Sequence, residues 1–163
     1  MTKSDSHTPN PALQDLERFV GEWEMVLSNA SFLPSSSDTL TGQVSIRWLE
    51  RGAFLAMYMG GQPQGTPDAI WLIGRDESTP GYTVLYYDNR TVSRVYEMSF
   101  SDGLWKMWRN APGFSQRFEG KFSEDGNTIT ARWQNSSDGT TWEHDFDVNY
   151  KKVGQIENTN YEL

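Results

Sequence analysis

The chain of 163 residues contains no cysteine, so disulfides, thiolate nucleophiles, iron–sulfur clusters and thiolate zinc sites are excluded. It has two histidines, and His7 falls in the polar leading segment, so no histidine pair is placed to hold a metal. No apolar run approaches the length of a membrane span, and residues 1–10 lack the apolar core of a secretory signal. We therefore expect a soluble cytoplasmic protein that does not enter a membrane.

Basic residues are also few, with 14 Lys and Arg against 22 Asp and Glu and a net charge of −8. A field of this sign repels phosphate backbones and anionic lipid, so neither nucleic acid nor a membrane surface is expected as a partner. The chain shows no Ser–His–Asp spacing and no glycine-rich phosphate loop. These absences favour a binding protein over the common classes of enzyme.

Aromatic residues are abundant, with seven Trp, seven Tyr and eight Phe, and this bias favours pleated sheet. We predict a disordered tail at 1–10, one β-barrel domain at 11–153 and a polar C-terminal tail at 154–163. A short helix is expected at 11–20, because Leu13, Leu16, Phe19 and Val20 fall on one face at helical spacing. The helix is too short to be a domain, and we expect it to plug one end of the barrel.

From Gly21 onward, alternating segments separated by turn residues recur about every dozen residues. The predicted strands are 22–27, 41–49, 53–59, 69–74, 82–88, 93–100, 104–109, 115–122, 128–134 and 141–150. Hairpin-length links and the lack of crossover helices indicate antiparallel order. We predict an all-β fold in which an antiparallel meander of about ten strands closes into a barrel, since closure removes exposed edges. A β-sandwich is the alternative architecture.

Period-two alternation assigns an inward face to several strands. It places Phe118 and Trp133 inside, and in the last strand it places Trp142 and His144 inside with Phe146. For 82–88, 93–100 and 104–109 both faces are partly apolar, so their inward faces stay open. An interior rich in large aromatics with a few polar groups is typical of a small-molecule pocket, and also of an ordinary aromatic core. The width of a ten-stranded barrel favours the pocket.

Two polar groups are candidates for the site. The His144 imidazole would ligate a haem iron or act as a base, or it is a core histidine bonded to a neighbouring strand. Arg94, with Tyr96 and Tyr86, would clamp a carboxylate; otherwise Arg94 is a surface residue paired with an acid such as Glu97. Segment 105–114 combines aromatics, cations and a Pro-Gly turn, and is either a lid over the pocket or a covered strand and its turn. The predicted ligand-binding residues are His144, Arg94, Tyr96, Tyr86, Trp133, Trp142 and Phe118.

The helix followed by Phe19, Gly21 and Trp23 resembles the start of the calycin group, which includes lipocalins, fatty-acid-binding proteins and nitrobindins. The resemblance implies that Trp23 packs across the closed end. The runs 70–76, 84–90, 93–98 and 142–147 look like an uncharacterised bacterial lipocalin-like family, and that likeness implies no activity. Nitrobindins bind haem through a histidine near the start of their last strand, a region comparable to that of His144. Bulky residues at 24–27 replace the glycines of nitrobindins, so no cofactor is predicted and haem is kept as an alternative.

Three functions follow from these patterns. The first is a barrel that holds a hydrophobic or aromatic small molecule, including an acid. The second is an enzyme or haem protein that uses His144. The third is a filled barrel that acts through its outer surface, for which Trp108 and Leu49 are the first residues expected to be exposed. Monomer and homodimer are both open.

Overall fold

A short helix and ten antiparallel strands make up the computed structural model, which describes residues 10–49, 52–60, 68–76 and 78–155. The strands are β1 (Gly21–Ser28), β2 (Leu40–Leu49), β3 (Phe54–Gly60), β4 (Ala69–Gly74), β5 (Tyr82–Asp88), β6 (Ser93–Ser101), β7 (Leu104–Arg109), β8 (Ser115–Phe122), β9 (Thr128–Ser136) and β10 (Glu143–Gly154). Each predicted strand lies within a few residues of its observed counterpart. The tails at 1–9 and 156–163, and the loop residues 50–51, 61–67 and 77, lie outside the described residues.

The helix spans Pro11–Phe19 and is a 3-10 helix. The Asn10 side chain caps it by accepting a hydrogen bond of 3.0 Å from the Ala12 amide. A 3-10 helix has three residues per turn, so Leu13, Leu16 and Phe19 fall in one line, and all three are fully buried. The predicted helix is therefore confirmed in its position, with the tighter winding that this spacing of three favours.

Each strand pairs with its neighbours in sequence, and β1 pairs with β10 to close the barrel. Glu22 lies opposite Gly154 and Ser28 opposite Asp147 in this closing pair. The predicted all-β closed barrel is confirmed, and the sandwich alternative is wrong. Among the described residues, no helix has the length and apolarity needed to cross a membrane.

The helix plugs one end of the barrel. The Phe19 ring makes edge contacts with Phe100, Trp105 and Phe122 at centroid distances of 4.9, 5.0 and 4.9 Å. Trp23 is fully buried beside it and donates from Nε1 to the Phe19 carbonyl at 2.8 Å, so it lies where the resemblance placed it. The opposite end, which we call the far end, is bordered by the turns at 29–39, 89–92, 110–114 and 137–142.

The burial pattern settles the faces that alternation left open. Tyr82, Val84 and Asp88 are buried on β5, whereas Leu85 and Tyr87 between them are exposed. On β6 and β7 the buried residues are Tyr96, Met98, Trp105 and Met107. Toward the far end, these inward faces continue with Tyr86 on β5, Arg94 on β6 and Arg109 on β7. Leu49, expected on the outer surface, is buried with 1% of its surface exposed, and Trp108 is half-buried.

A β-bulge in β10 overturns the predicted position of His144. His144 lies opposite Gln134 and Phe146 lies opposite Trp133, so Asp145 is an extra residue between them. An extra residue reverses the alternation of side chains beyond it. Val148 and Tyr150 therefore point inward as predicted, whereas His144 is exposed on the outer face.

Candidate functional site

Aromatic rings cross the barrel beneath its far end. The Trp71 ring lies 4.5 Å from Tyr86, 5.7 Å from Tyr96 and 6.1 Å from Trp133 between centroids. Trp71 belongs to β4 and Trp133 to β9, which are five strands apart in a ten-stranded barrel. Rings that approach this closely from opposite walls fill the interior at this level.

Trp133 extends this layer toward two more rings, Phe118 at 5.1 Å and Phe146 at 6.3 Å. We call Trp71, Tyr86, Tyr96, Trp133 and Phe146 the aromatic floor. Phe118 and Trp133 are buried inside as predicted. Trp71, Tyr86 and Phe146 point inward yet are only partly buried, as is Met59, whose sulfur accepts from Trp71 Nε1 at 3.0 Å. Rings that point inward and stay accessible form a surface that a molecule at the far end can contact.

A polar cluster stands at the edge of the aromatic floor. Tyr96 donates from its hydroxyl to Gln116 Oε1 at 2.7 Å, and Arg94 donates from Nη1 to the same oxygen at 3.1 Å. Gln116 is buried with 6% of its surface exposed, and Arg94 is half-buried. Burial raises the pKa of Tyr96 against the opposing effects of Arg94 and Arg109, so the phenol keeps its proton and remains a donor.

Phe114 joins this cluster to a second arginine. The Arg94 guanidinium lies over the Phe114 ring at 5.1 Å, and Arg109 Nη1 donates to the Phe114 carbonyl at 3.0 Å. Phe114 ends the turn between β7 and β8 and is 37% exposed. Segment 105–114 thus contributes a strand with one inward face and a turn whose aromatic ring covers Arg94. Two guanidinium groups consequently face the same edge of the far end.

The Tyr86 hydroxyl is held by Asp88 and does not join Arg94. It donates to Asp88 Oδ2 at 2.6 Å, and Arg90 Nη2 donates to the same oxygen at 2.8 Å. Oδ1 accepts from the Arg90 and Val92 amides, which closes the turn between β5 and β6. Burial raises the pKa of Asp88, but these hydrogen bonds outweigh burial and lower it to about 2. The structure therefore brings together two of the three predicted clamp residues, with Gln116 where Tyr86 was expected.

Trp142 and His144 are on the outer surface, which corrects the prediction that both point inward. The Arg117 guanidinium stacks over Trp142 at 4.2 Å. His144 Nε2 lies 2.9 Å from Asp147 Oδ1, and Asp147 Oδ2 accepts from Asn29 at 2.7 Å. Both residues precede the bulge, so the alternation counted back from Val148 gives them the wrong face. Neither residue reaches the aromatic floor.

The haem alternative depends on His144, and the position of this residue does not fit it. An axial ligand inside the barrel needs an imidazole nitrogen that faces the interior, whereas His144 is exposed and bonded to an outer carboxylate. In the described part of the chain, no group of three or more His, Cys, Asp or Glu side chains is placed to hold a metal ion.

Gln116 is the site residue that sequence reasoning missed. It precedes Phe118 by two positions, so alternation assigns it to the same inward face. Its low exposure and its two hydrogen bonds follow from that position. An uncharged amide is not a usual candidate for a catalytic group, so Gln116 was not selected. A buried amide needs polar partners, however, and this requirement could have indicated a polar cluster around Gln116.

Comparisons with known proteins support the fold alone. No protein-family model matches the chain, and no curated protein matches it. Among solved structures, the crystal structure of Rv2717c from M. tuberculosis matches with a TM-score of 0.63 and 11% sequence identity, covering 90% of this chain and 99% of that one. At this low identity, the similarity supports the barrel architecture only. It supports no ligand and no role for any residue.

Proposed function

We propose that the far end of this barrel binds a small aromatic or hydrophobic molecule that carries an acidic group. The observation behind this proposal is that half-accessible inward rings and the cluster of Arg94, Tyr96 and Gln116 occur at the same end. Apolar walls with a few convergent polar groups are typical of small-molecule sites. The filled layer beneath indicates a shallow cup, so a compact ligand fits better than a long chain.

Affinity would come from the aromatic floor. Trp71 offers a large partly accessible ring, and Phe146 lies beyond it on the other side of Trp133. A flat apolar ring laid on these groups removes apolar surface from water on both partners, at about 25 cal/mol for each Å². Offset stacking on Trp adds a preference for an aromatic ligand.

The acidic group follows from the charges at the edge. The protein has a net charge of −8, yet Arg94 and Arg109 face this edge together. Arg94 uses one donor on Gln116, and guanidinium carries five, so others remain for a carboxylate. Asp88, the acid two residues beyond Tyr86 on β5, is already bonded to Arg90 and Tyr86. A carboxylate near Arg94 would therefore meet positive charge.

The test uses two compounds of the same shape, naphthoate and the neutral naphthylmethanol, titrated by tryptophan fluorescence and calorimetry. We expect naphthoate to bind more tightly, and Arg94→Met to weaken it by about tenfold to a hundredfold, as loss of a charge-assisted hydrogen bond does. Naphthylmethanol should change by no more than about twofold in that variant. Trp71→Leu should weaken both compounds.

Arg132→Met is the matched control, because Arg132 is exposed on the outer face of β9. It should leave both affinities unchanged. Failure of both compounds to bind the wild-type protein would overturn the proposal. If Arg94→Met weakened the binding of naphthoate and naphthylmethanol equally, the part of the proposal that gives the ligand an acidic group would be contradicted.

A further inference from the structure

The amide of Gln116 is held in one orientation by its neighbours on β6. Its Oε1 accepts from the Tyr96 hydroxyl at 2.7 Å and from Arg94 Nη1 at 3.1 Å. A guanidinium group donates hydrogen bonds and cannot accept them, so the amide atom beside Arg94 has to be the oxygen. The amide nitrogen of Gln116 is therefore turned away from both partners.

This nitrogen is an unused donor at the far end. In the described part of the chain it makes no hydrogen bond, although Gln116 is only 6% exposed. Among the same residues, Trp105 Nε1 is the one side-chain atom that is both sealed from solvent and without a partner, so Gln116 Nε2 keeps contact with accessible space. Gln116 shares the inward face of β8 with Phe118. A nearly buried amide normally bonds both of its polar atoms, so a free donor that faces the far end indicates that a ligand supplies the acceptor.

The groups around this nitrogen are donors as well. Arg109 is the register neighbour of Gln116 on β7 and donates one hydrogen bond, to the Phe114 carbonyl. Arg94 uses one of its five donors on Gln116, and the Tyr96 hydroxyl gives its proton to the same oxygen. The cluster thus presents N–H groups in excess of acceptors. A ligand group placed against it has to accept hydrogen bonds.

We infer that Gln116 determines the specificity of this site: its amide N–H donates to the acid group of the ligand, so the site selects an ionised carboxylate over the corresponding amide. The inference rests on the proposed function and adds a hydrogen-bonding requirement to the charge of Arg94. A carboxylate carries acceptor oxygens alone, whereas a carboxamide replaces one of them with a donor. That donor would face the N–H groups of Gln116 and Arg94, and a site whose polar groups are left unpaired rejects such an analogue.

The test exchanges the free donor for an acceptor in Gln116→Glu. Glutamate has the shape of glutamine and keeps an oxygen for Tyr96 and Arg94, so the change is confined to the second polar atom. Binding is measured by calorimetry at about pH 8, where a glutamate beside two arginines is ionised. The ligands are naphthoate and two neutral compounds of similar shape, naphthamide and methyl naphthyl ketone. The neutral pair separates hydrogen bonding from the added charge.

We expect Gln116→Glu to weaken naphthoate by about a hundredfold, because the acid loses a donor and meets a second negative charge. The ketone oxygen also loses its donor, whereas the NH2 group of naphthamide gains an acceptor. The ratio of the two neutral affinities should therefore change in favour of naphthamide by about tenfold or more.

Gln134→Glu is the matched control. Gln134 Oε1 also accepts from an arginine, Arg117 Nε at 2.7 Å, but this pair lies on the outer face of the barrel. The control adds the same charge to the same kind of pair, and it should leave all three affinities within about twofold of wild type. Circular dichroism and thermal unfolding check that both variants are folded.

A measurement on the wild-type protein gives a second readout that does not depend on a folded variant. In protein with isotope-labelled glutamine, the side-chain amide signal of Gln116 should move downfield in the NMR spectrum when naphthoate is added, as an N–H that donates to a carboxylate does. The Gln134 signal should stay in place. A Gln116 signal that does not move at saturating naphthoate would overturn the inference.

The outcomes separate this inference from the proposed function. A wild-type protein that binds none of the three compounds would overturn both. If naphthoate binds and depends on Arg94, but Gln116→Glu leaves the ratio of ketone to naphthamide unchanged, the proposed function stands and the role of Gln116 is overturned. A change of the same size in Gln134→Glu would also overturn that role, since charge alone would then account for it.

Discussion

Trp71 and Trp133 extend from opposite walls of the barrel, and their ring centroids are 6.1 Å apart. The contact crosses the interior between the buried core at the helix end and the far end of the barrel. Around it, Tyr86 and Phe146 also point inward and are only partly buried.

Removal of the Trp133 ring should open the layer and destabilise the protein. Trp133 is 5% exposed and contacts Trp71, Tyr96, Phe118 and Phe146. We expect Trp133→Ala to lower the free energy of unfolding by about 3–5 kcal/mol, as loss of a large buried ring does. Trp142→Ala is the control, since Trp142 stacks outside on Arg117 and should cost less than about 1 kcal/mol. Urea unfolding measures both, and similar costs would contradict the assigned faces.

Two buried tryptophans differ in whether their indole N–H is bonded. Trp23 donates to the Phe19 carbonyl, whereas Trp105 Nε1 has no hydrogen-bond partner in the described part of the chain. Trp23→Phe and Trp105→Phe remove the same volume from sites that are 0% and 1% exposed. We expect Trp23→Phe to be the more destabilising by about 1–3 kcal/mol, because it leaves a buried carbonyl without its donor.

Denaturant titrations at one pH would measure this difference between the two tryptophan variants. A larger cost for Trp105→Phe would mean that packing at that site outweighs the lost hydrogen bond at Trp23. Melting temperatures should rank the two variants in the same order.

Asp88 makes the stability of the protein dependent on acid. Its pKa is lowered from 3.8 to about 2 in the folded chain. A carboxyl whose folded pKa is depressed stabilises the protein above its unfolded pKa and loses that contribution as pH falls through the folded value. Tyr86→Phe removes one donor and should raise the pKa of Asp88. The stability lost in this variant should therefore be larger near about pH 6 than near about pH 2.

Urea midpoints for the wild-type protein and Tyr86→Phe across this pH range check the prediction. Tyr87→Phe is the control, because Tyr87 lies on the outer face of β5. It should produce a difference in stability that does not change with pH. The same constant difference in Tyr86→Phe would contradict the hydrogen-bonded role of Asp88.

His144→Ala should leave the ligand site intact. His144 is exposed, and its contact is a hydrogen bond of 2.9 Å with Asp147 on the outer surface. Exposed pairs contribute at most about 1 kcal/mol, so we expect a change in stability within that limit. The affinity for naphthoate should stay within about twofold of wild type. A fall as large as that expected for Arg94→Met would return His144 to the binding site.

The sequence predicts the fold closely because the turn residues and the period-two pattern are local signals. The strands β4, β5, β7 and β8 match their predicted limits, and the helix matches within one residue. Closure of the barrel follows from the number of strands and the need to cover edges. Leu13, Leu16 and Phe19 are spaced by three residues, which indicates a 3-10 helix. The prediction of an ordinary helix did not include this tighter winding.

The site was harder to predict, since one inserted residue exchanges inward and outward side chains. Asp145 forms the bulge, and alternation carried across it gives the wrong face to Trp142 and His144. Arg94 and Tyr96 share one face of β6, because no bulge interrupts its register with β5, but alternation alone left open whether that face points inward. Gln116 was missed because its role depends on a contact with β6, two strands away, that no local pattern contains.

The pairing of Glu22 with Gly154 has a consequence for the way the chain is made. Nine of the ten neighbouring pairs join strands that follow one another, so hairpins can form as the polypeptide leaves the ribosome. The tenth joins the first strand to the last. Until β10 emerges, β1 and β9 each present an unpaired edge to other nascent chains. The barrel therefore loses its last open hydrogen-bonding edge only when β10 pairs with β1.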